Sequence, residues 1–160
     1  MKAVHVLMVE DNPGDVDLTR EALEAGRTGI ELTVARDGVE AIEILKGGGG
    51  VRSSRPDLIL LDLNLPRKGG RETLAEIKGD QELRHIPVII LTSSDAESDI
   101  RESYALGANC YVTKSMDLRA FRRIVGAVDF FWFGVAKLPE RPGLIGNRGA
   151  RGPAPISGDP

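Results

Sequence analysis

Five short apolar runs alternate with five amphipathic stretches along this chain, and that alternation limits its fold more than any other property. The apolar runs are residues 4–9, 30–35, 58–61, 88–91 and 110–113. Two of them, Leu58-Ile59-Leu60-Leu61 and Val88-Ile89-Ile90-Leu91, are unbroken, the pattern of a strand buried on both faces. Between the runs, apolar residues recur at helical spacing. Asn12 is a good N-cap and Pro13 suits the first helical position, which predicts a helix to about residue 25. Further helices are predicted over 38–46 and 69–80, from a cap at Ser94 or Asp95 toward residue 105, and from a cap at Asp117 to about residue 133. Strand followed by helix, five times, predicts an α/β domain whose parallel sheet is covered on both faces and joined by right-handed crossovers.

The chain has 160 residues, enough for one domain with a real core. A net charge of −3 leaves no basic footprint, so nucleic acid is not an expected partner. Cys110 is the single cysteine, which excludes an internal disulfide and a cysteine-built metal site and fits a reducing cytoplasm. No apolar run approaches the ~20 residues of a membrane helix, and acidic residues come too soon after the start for a signal peptide. The folded domain is expected over 1–138. Residues 139–160 hold five prolines and five glycines with little to bury, the composition of a disordered tail.

In an open parallel α/β sheet, function collects at the carboxyl ends of the strands. There the sequence places Glu10 and Asp11, then Asp62, Thr92 and Lys114. Two carboxylates ~5 Å apart repel by ~3 kcal/mol at an effective dielectric of ~20, so three of them call for cations. Lys114 is one. An all-oxygen site with room for water suits Mg²⁺ as the other. A carboxylate beside such an ion is a competent nucleophile toward phosphorus and needs no general base, being already ionised at neutral pH. Asp62 would attack, and Thr92 and Lys114 would hold phosphoryl oxygens.

These residues, in order, make the chain resemble the receiver domains of two-component response regulators. The resemblance runs from about residue 4 to residue 137. It rests on Val9-Glu10-Asp11-Asn12, Leu61-Asp62-Leu63-Asn64-Leu65-Pro66, Leu91-Thr92-Ser93-Ser94, Gly107-Ala108 and Tyr111-Val112-Thr113-Lys114. It implies a flavodoxin-like, doubly wound sheet of five parallel strands in the order 2-1-3-4-5, with five helices. It also implies roles for single residues. Asp62 is the expected phosphoacceptor. Asp11, Asp62 and the main-chain carbonyl of Asn64 are the expected Mg²⁺ ligands, with Glu10 acting through water. Thr92 is the expected switch hydroxyl, Lys114 the lysine that pairs with the phosphoryl group, and Tyr111 the aromatic switch residue that turns inward as Thr92 moves. Asn64 and Ser94 flank the expected line of attack for the water that ends the signal. Ser115 stands where the family usually has proline.

The segments Glu10-Asp11-Asn12-Pro13-Gly14-Asp15, 64–70 and 80–87 resemble the subgroup paired with bacterial phytochromes. The implied partner is then a light-sensing histidine kinase. The expected activity is phosphoryl acceptance with weak self-dephosphorylation, and not turnover of an external substrate. Two rivals share part of the pattern. A dehalogenase-like phosphatase also uses an aspartate nucleophile, but it needs a second acid two residues on, where this chain has Asn64. A phosphorylation-independent binding module on the same fold usually lacks part of the acidic cluster. Finally, all four phenylalanines and the single tryptophan fall within 121–133. Helical spacing turns Phe121, Ile124, Val125, Val128, Phe131 or Trp132, and Val135 inward and leaves Phe130 and Phe133 outside, an apolar patch expected to pair with a second copy or a partner.

Overall fold

The structure, a computed structural model, describes residues 3–26, 29–47 and 55–139. The strands are β1 (Val4–Val9), β2 (Ile30–Ala35), β3 (Leu58–Leu61), β4 (Val88–Thr92) and β5 (Cys110–Thr113). They form one sheet in the order β2-β1-β3-β4-β5, every neighbouring pair parallel. The helices are α1 (Pro13–Glu24), α2 (Gly38–Leu45), α3 (Gly70–Gly79), α4 (Glu97–Ala105) and α5 (Leu118–Val128). The expected doubly wound topology is therefore the observed one. The proposed tail, apart from Pro139, and Gly48 to Gly50 of the glycine run lie outside the described residues.

Strand periodicity divides the core in two. Leu7, Val9, Ile59, Leu61, Val88 and Ile90 face the layer holding α2 and α3, where they meet Ile42, Leu45, Leu74 and Ile77. Val6, Met8, Leu58, Leu60 and Ile89 face the other layer and meet Val128. Leu23 of α1 packs there against Phe121 and Val125 of α5. Three helices start as their side chains dictate. Asn12 Oδ1 accepts from the N–H groups of Gly14 (2.9 Å) and Asp15 (3.2 Å). Asp37 Oδ1 accepts from Glu40 (2.9 Å) and Asp117 Oδ1 from Arg119 (2.9 Å).

Two boundaries differ from expectation. The N-cap of α4 is Ala96, with no side-chain cap bond; the Ser94 hydroxyl instead donates to Asp99 Oδ2 (2.5 Å) and accepts from the Ala96 N–H (3.3 Å). The final helix does not stay α-helical to residue 133. From Asp129 to Val135 it widens into a π-helical turn, closed by the Ala136 N–H donating to the Phe131 carbonyl (2.7 Å). That wider turn advances the inward face. Trp132 and Phe133 pack against the core, while Phe130, Phe131 and Val135 are exposed. Unbroken α-helical spacing puts Phe133 outside and Val135 inside; the change of helical period reverses both.

Candidate functional site

Sheet register builds the site. Val9 of β1 pairs with Ala35 on one side and Leu61 on the other. The next residues, Glu10 and Asp62, therefore leave adjacent strands at the same level. Ile90 is the register partner of Leu61, so Thr92 lies two residues beyond that level on the next strand, where it pairs with Thr113. Lys114 comes next on β5, and its N–H donates to the Thr92 carbonyl (2.7 Å). Four residues far apart in sequence thus reach one edge of the sheet.

Charge is dense there. Lys114 Nζ donates to Glu10 Oε2 (2.6 Å), Asp62 Oδ2 (2.9 Å) and Asp15 Oδ2 (2.9 Å). Glu10 and Asp62 are both buried. Burial, and then the hydrogen bond shared with Asp62, push the Glu10 carboxyl up to about 7. Burial also acts to raise Asp62, but its hydrogen bonds with Glu10 and Lys114 outweigh it and hold Asp62 below its ordinary value. Burial acts to lower Lys114, and its bonds to Glu10, Asp62 and Asp15 overcome that and raise it. Both shifts favour the carboxylate on Asp62 and the ammonium on Lys114.

One oxygen each from Glu10, Asp11 and Asp62 lie within 4.8 Å of one another. Asp11 is exposed, which leaves the cluster open to water on one side. A single lysine against this many carboxylates leaves negative charge over. The residues therefore fit a hard divalent cation with oxygen ligands. The Asn64 N–H donates to Asp62 Oδ1 (3.1 Å), which sets the Asn64 peptide beside the cluster, while its side chain is exposed.

Thr92 has no exposed surface, and its Oγ1 has no hydrogen-bond partner among the described residues. Leaving a buried hydroxyl unmet costs about 1–3 kcal/mol. Tyr111 is half-buried, its ring packs against the core, and its hydroxyl donates to the Ser94 carbonyl (2.8 Å). Its ring therefore lies against the core rather than free in solvent. Ser115, in the usual place of proline, accepts the Asp117 N–H (3.1 Å) and closes a local turn ahead of α5.

Several supporting residues escape a reading of strand ends. Asp15, the third partner of Lys114, sits on the first turn of α1. Its signal is the Asn12 cap, which aims that turn at the sheet edge. Arg67 is the only non-glycine residue with positive φ (59°) among those described. Asp37 Oδ2 accepts from the Arg67 Nε (2.7 Å) and also lies 2.7 Å from the Arg67 Nη2, tying the β3–α3 loop to the start of α2. Gly70 has to be glycine, since a Cβ there would run into the Asp62 carbonyl.

A doubly wound parallel sheet with an acidic cluster, a buried lysine and a buried hydroxyl at its switch point is the architecture of a phosphoacceptor signalling domain. The chain belongs to the response regulator receiver domain family, whose model matches residues 6–126. It is 45% identical over 135 residues to the response regulator Rcp1 of Synechocystis sp., covering 84% of this chain and 92% of that protein. The crystal structure of the phosphorylated cyanobacterial phytochrome response regulator RcpA matches with a TM-score of 0.84 and 47% identity, over 87% of this chain and 100% of the other. The Mn²⁺-bound form of Rcp1 matches with a TM-score of 0.82 and 44% identity, over 86% and 99%. Nothing in these likenesses favours a phosphatase. Among the described residues, no helix is long and apolar enough to cross a membrane.

Proposed function

We propose that this response regulator accepts a phosphoryl group on Asp62 from the phosphohistidine of a cytoplasmic sensor kinase of the bacterial phytochrome type. The single observation that carries the reading is the lysine-bound, buried Asp62 at the centre of the acidic cluster. The likeness to Rcp1 and RcpA supports the choice of kinase. An Asp62 oxygen forms the new P–O bond as the P–N bond to the kinase histidine breaks. The imidazole leaves with the electron pair and takes a proton from solvent. Asp11, Asp62 and the main-chain carbonyl of Asn64, with Glu10 through water, would hold Mg²⁺, which would supply positive charge against the phosphoryl oxygens. Lys114 redirects its ammonium from Asp62 to the incoming group, and Thr92 gains the acceptor it lacks. Ser94 and Asn64 border the path of the water that later hydrolyses the acyl phosphate, so the domain slowly resets itself.

The exposed Phe130, Phe131 and Val135 form the surface through which a second copy pairs. The chemistry is tested by incubation with acetyl phosphate and Mg²⁺ followed by intact mass. Wild type gains one phosphoryl group and Asp62→Asn gains none. Labelling of Asp62→Asn to the wild-type level would sink the assignment.

A further inference from the structure

Ser94 is held from two sides. Its carbonyl accepts from the Tyr111 hydroxyl (2.8 Å), and its own hydroxyl donates to Asp99 Oδ2 (2.5 Å). The other oxygen of Asp99 is in an ion pair with Arg71, from the first turn of α3. Arg71 Nε also pairs with Glu102 of α4 (3.1 Å). Asp99 therefore bridges: one oxygen faces a cation on α3, the other fixes the β4–α4 loop. None of these groups belongs to the acidic cluster, and helix capping does not need them, because α4 starts at Ala96 without a side-chain cap.

The arrangement so fixed has two properties. Tyr111 is packed inward, and Thr92 Oγ1 is buried without a partner among the described residues. Ser94 follows Thr92 by two residues on the same loop, so the bonds that fix Ser94 also fix where the loop leaves Thr92. We propose that Arg71 and Asp99 are positioning residues, a latch that acts through Ser94 to keep the β4–α4 loop in its phosphoryl-accepting arrangement before the phosphoryl group arrives. This rests on Asp62 being the phosphoacceptor. Breaking the latch lets the loop relax and Thr92 find other partners. The incoming group then has to reorder the loop, and the affinity for it falls by the fraction of molecules no longer poised.

The test uses beryllofluoride, a phosphoryl mimic, titrated with Mg²⁺ and followed by amide NMR. Asp99→Ala weakens beryllofluoride binding about tenfold, the scale of one hydrogen bond to a charged group. Asp99→Asn, which keeps an acceptor for Ser94, recovers most of that loss. In a Ser94→Ala background, Asp99→Ala adds less than about twofold. Affinity for Mg²⁺ alone, which reads only the acidic cluster, stays at the wild-type value in every variant, whereas general damage would weaken both ligands together. Wild-type beryllofluoride affinity in Asp99→Ala, or equal losses with and without the Ser94 hydroxyl, would overturn the latch and leave Asp62 as assigned. Failure of wild type itself to bind the mimic would overturn both.

Discussion

Two regions of this molecule break the rule that charge lies outside and apolar surface inside, and they do so in opposite ways. At the carboxyl edge of the sheet, Glu10, Asp62 and Lys114 are buried among one another. At the end of the last helix, Phe130, Phe131 and Val135 are left in solvent. Burying the charges is tolerable because Glu10 and Asp62 both pair with the Lys114 ammonium. Exposing the phenylalanines is tolerable because the same helix is anchored by Phe121, Val125 and Val128, all buried. The two regions therefore differ in chemistry as well as place: one concentrates charge in the interior, the other leaves apolar surface outside.

The sharpest separation of anchor from patch comes from two phenylalanines of one helical segment. Phe121→Ala, which opens a cavity against Leu23 and Val125, destabilises the fold by about 3–5 kcal/mol in urea denaturation. A loss below about 1 kcal/mol would mean that α5 is not part of the core. At the other region, Lys114→Ala lowers the rate of phosphoryl uptake from acetyl phosphate about 100-fold, as removal of one preorganised donor does. An unchanged rate would reduce the lysine to neutralising the acidic cluster.

A smaller effect probes the loop behind the site. Asp37→Ala removes the α2 cap and the partner of Arg67, costing about 1 kcal/mol at neutral pH. The Glu40 N–H, then Arg67, outweigh burial and hold the Asp37 carboxyl below its usual range. Its contribution is thus complete above the unfolded value of ~3.9 and is lost as pH falls through the lower folded-state value. Thermal melts of wild type and Asp37→Ala should therefore converge in acid; a gap that widened in acid would contradict the sign. The smallest effect belongs to the exposed patch. Phe130→Ser changes monomer stability by less than about 0.5 kcal/mol, yet shifts sedimentation from dimer to monomer. A wild type that stays monomeric at every concentration, phosphorylated or not, would remove the proposed interface.

The two regions also differ in how legible they are in the sequence. Strands end where apolar runs end, so Asp62, Thr92 and Lys114 can be placed on one edge from the order of residues. The aromatic segment can be identified as a patch, but its phase cannot. Whether Phe131 or Phe133 faces inward depends on the π-turn from Asp129 to Val135. A single hydrogen-bond shift of that kind leaves no mark in a periodicity of apolar residues. The caps at Asn12, Asp37 and Asp117 obey local chemistry and are readable as such. Ser94 is not the cap, because α4 begins two residues beyond it, at Ala96, a shift that the local sequence does not mark.

The order of apolar and polar residues by itself determined the parallel sheet and the chemistry of its edge. A strand that must be buried can end only at the surface, so the polar residue after its last apolar one emerges at a known place. Tertiary structure alone decided the pairings across elements: Asp15 on Lys114, Arg67 on Asp37, Arg71 on Asp99, and the Tyr111 hydroxyl on the Ser94 carbonyl. Those depend on distances between helices and loops remote in sequence. Such distances are set by how side chains fill the space between layers, and no local preference encodes them.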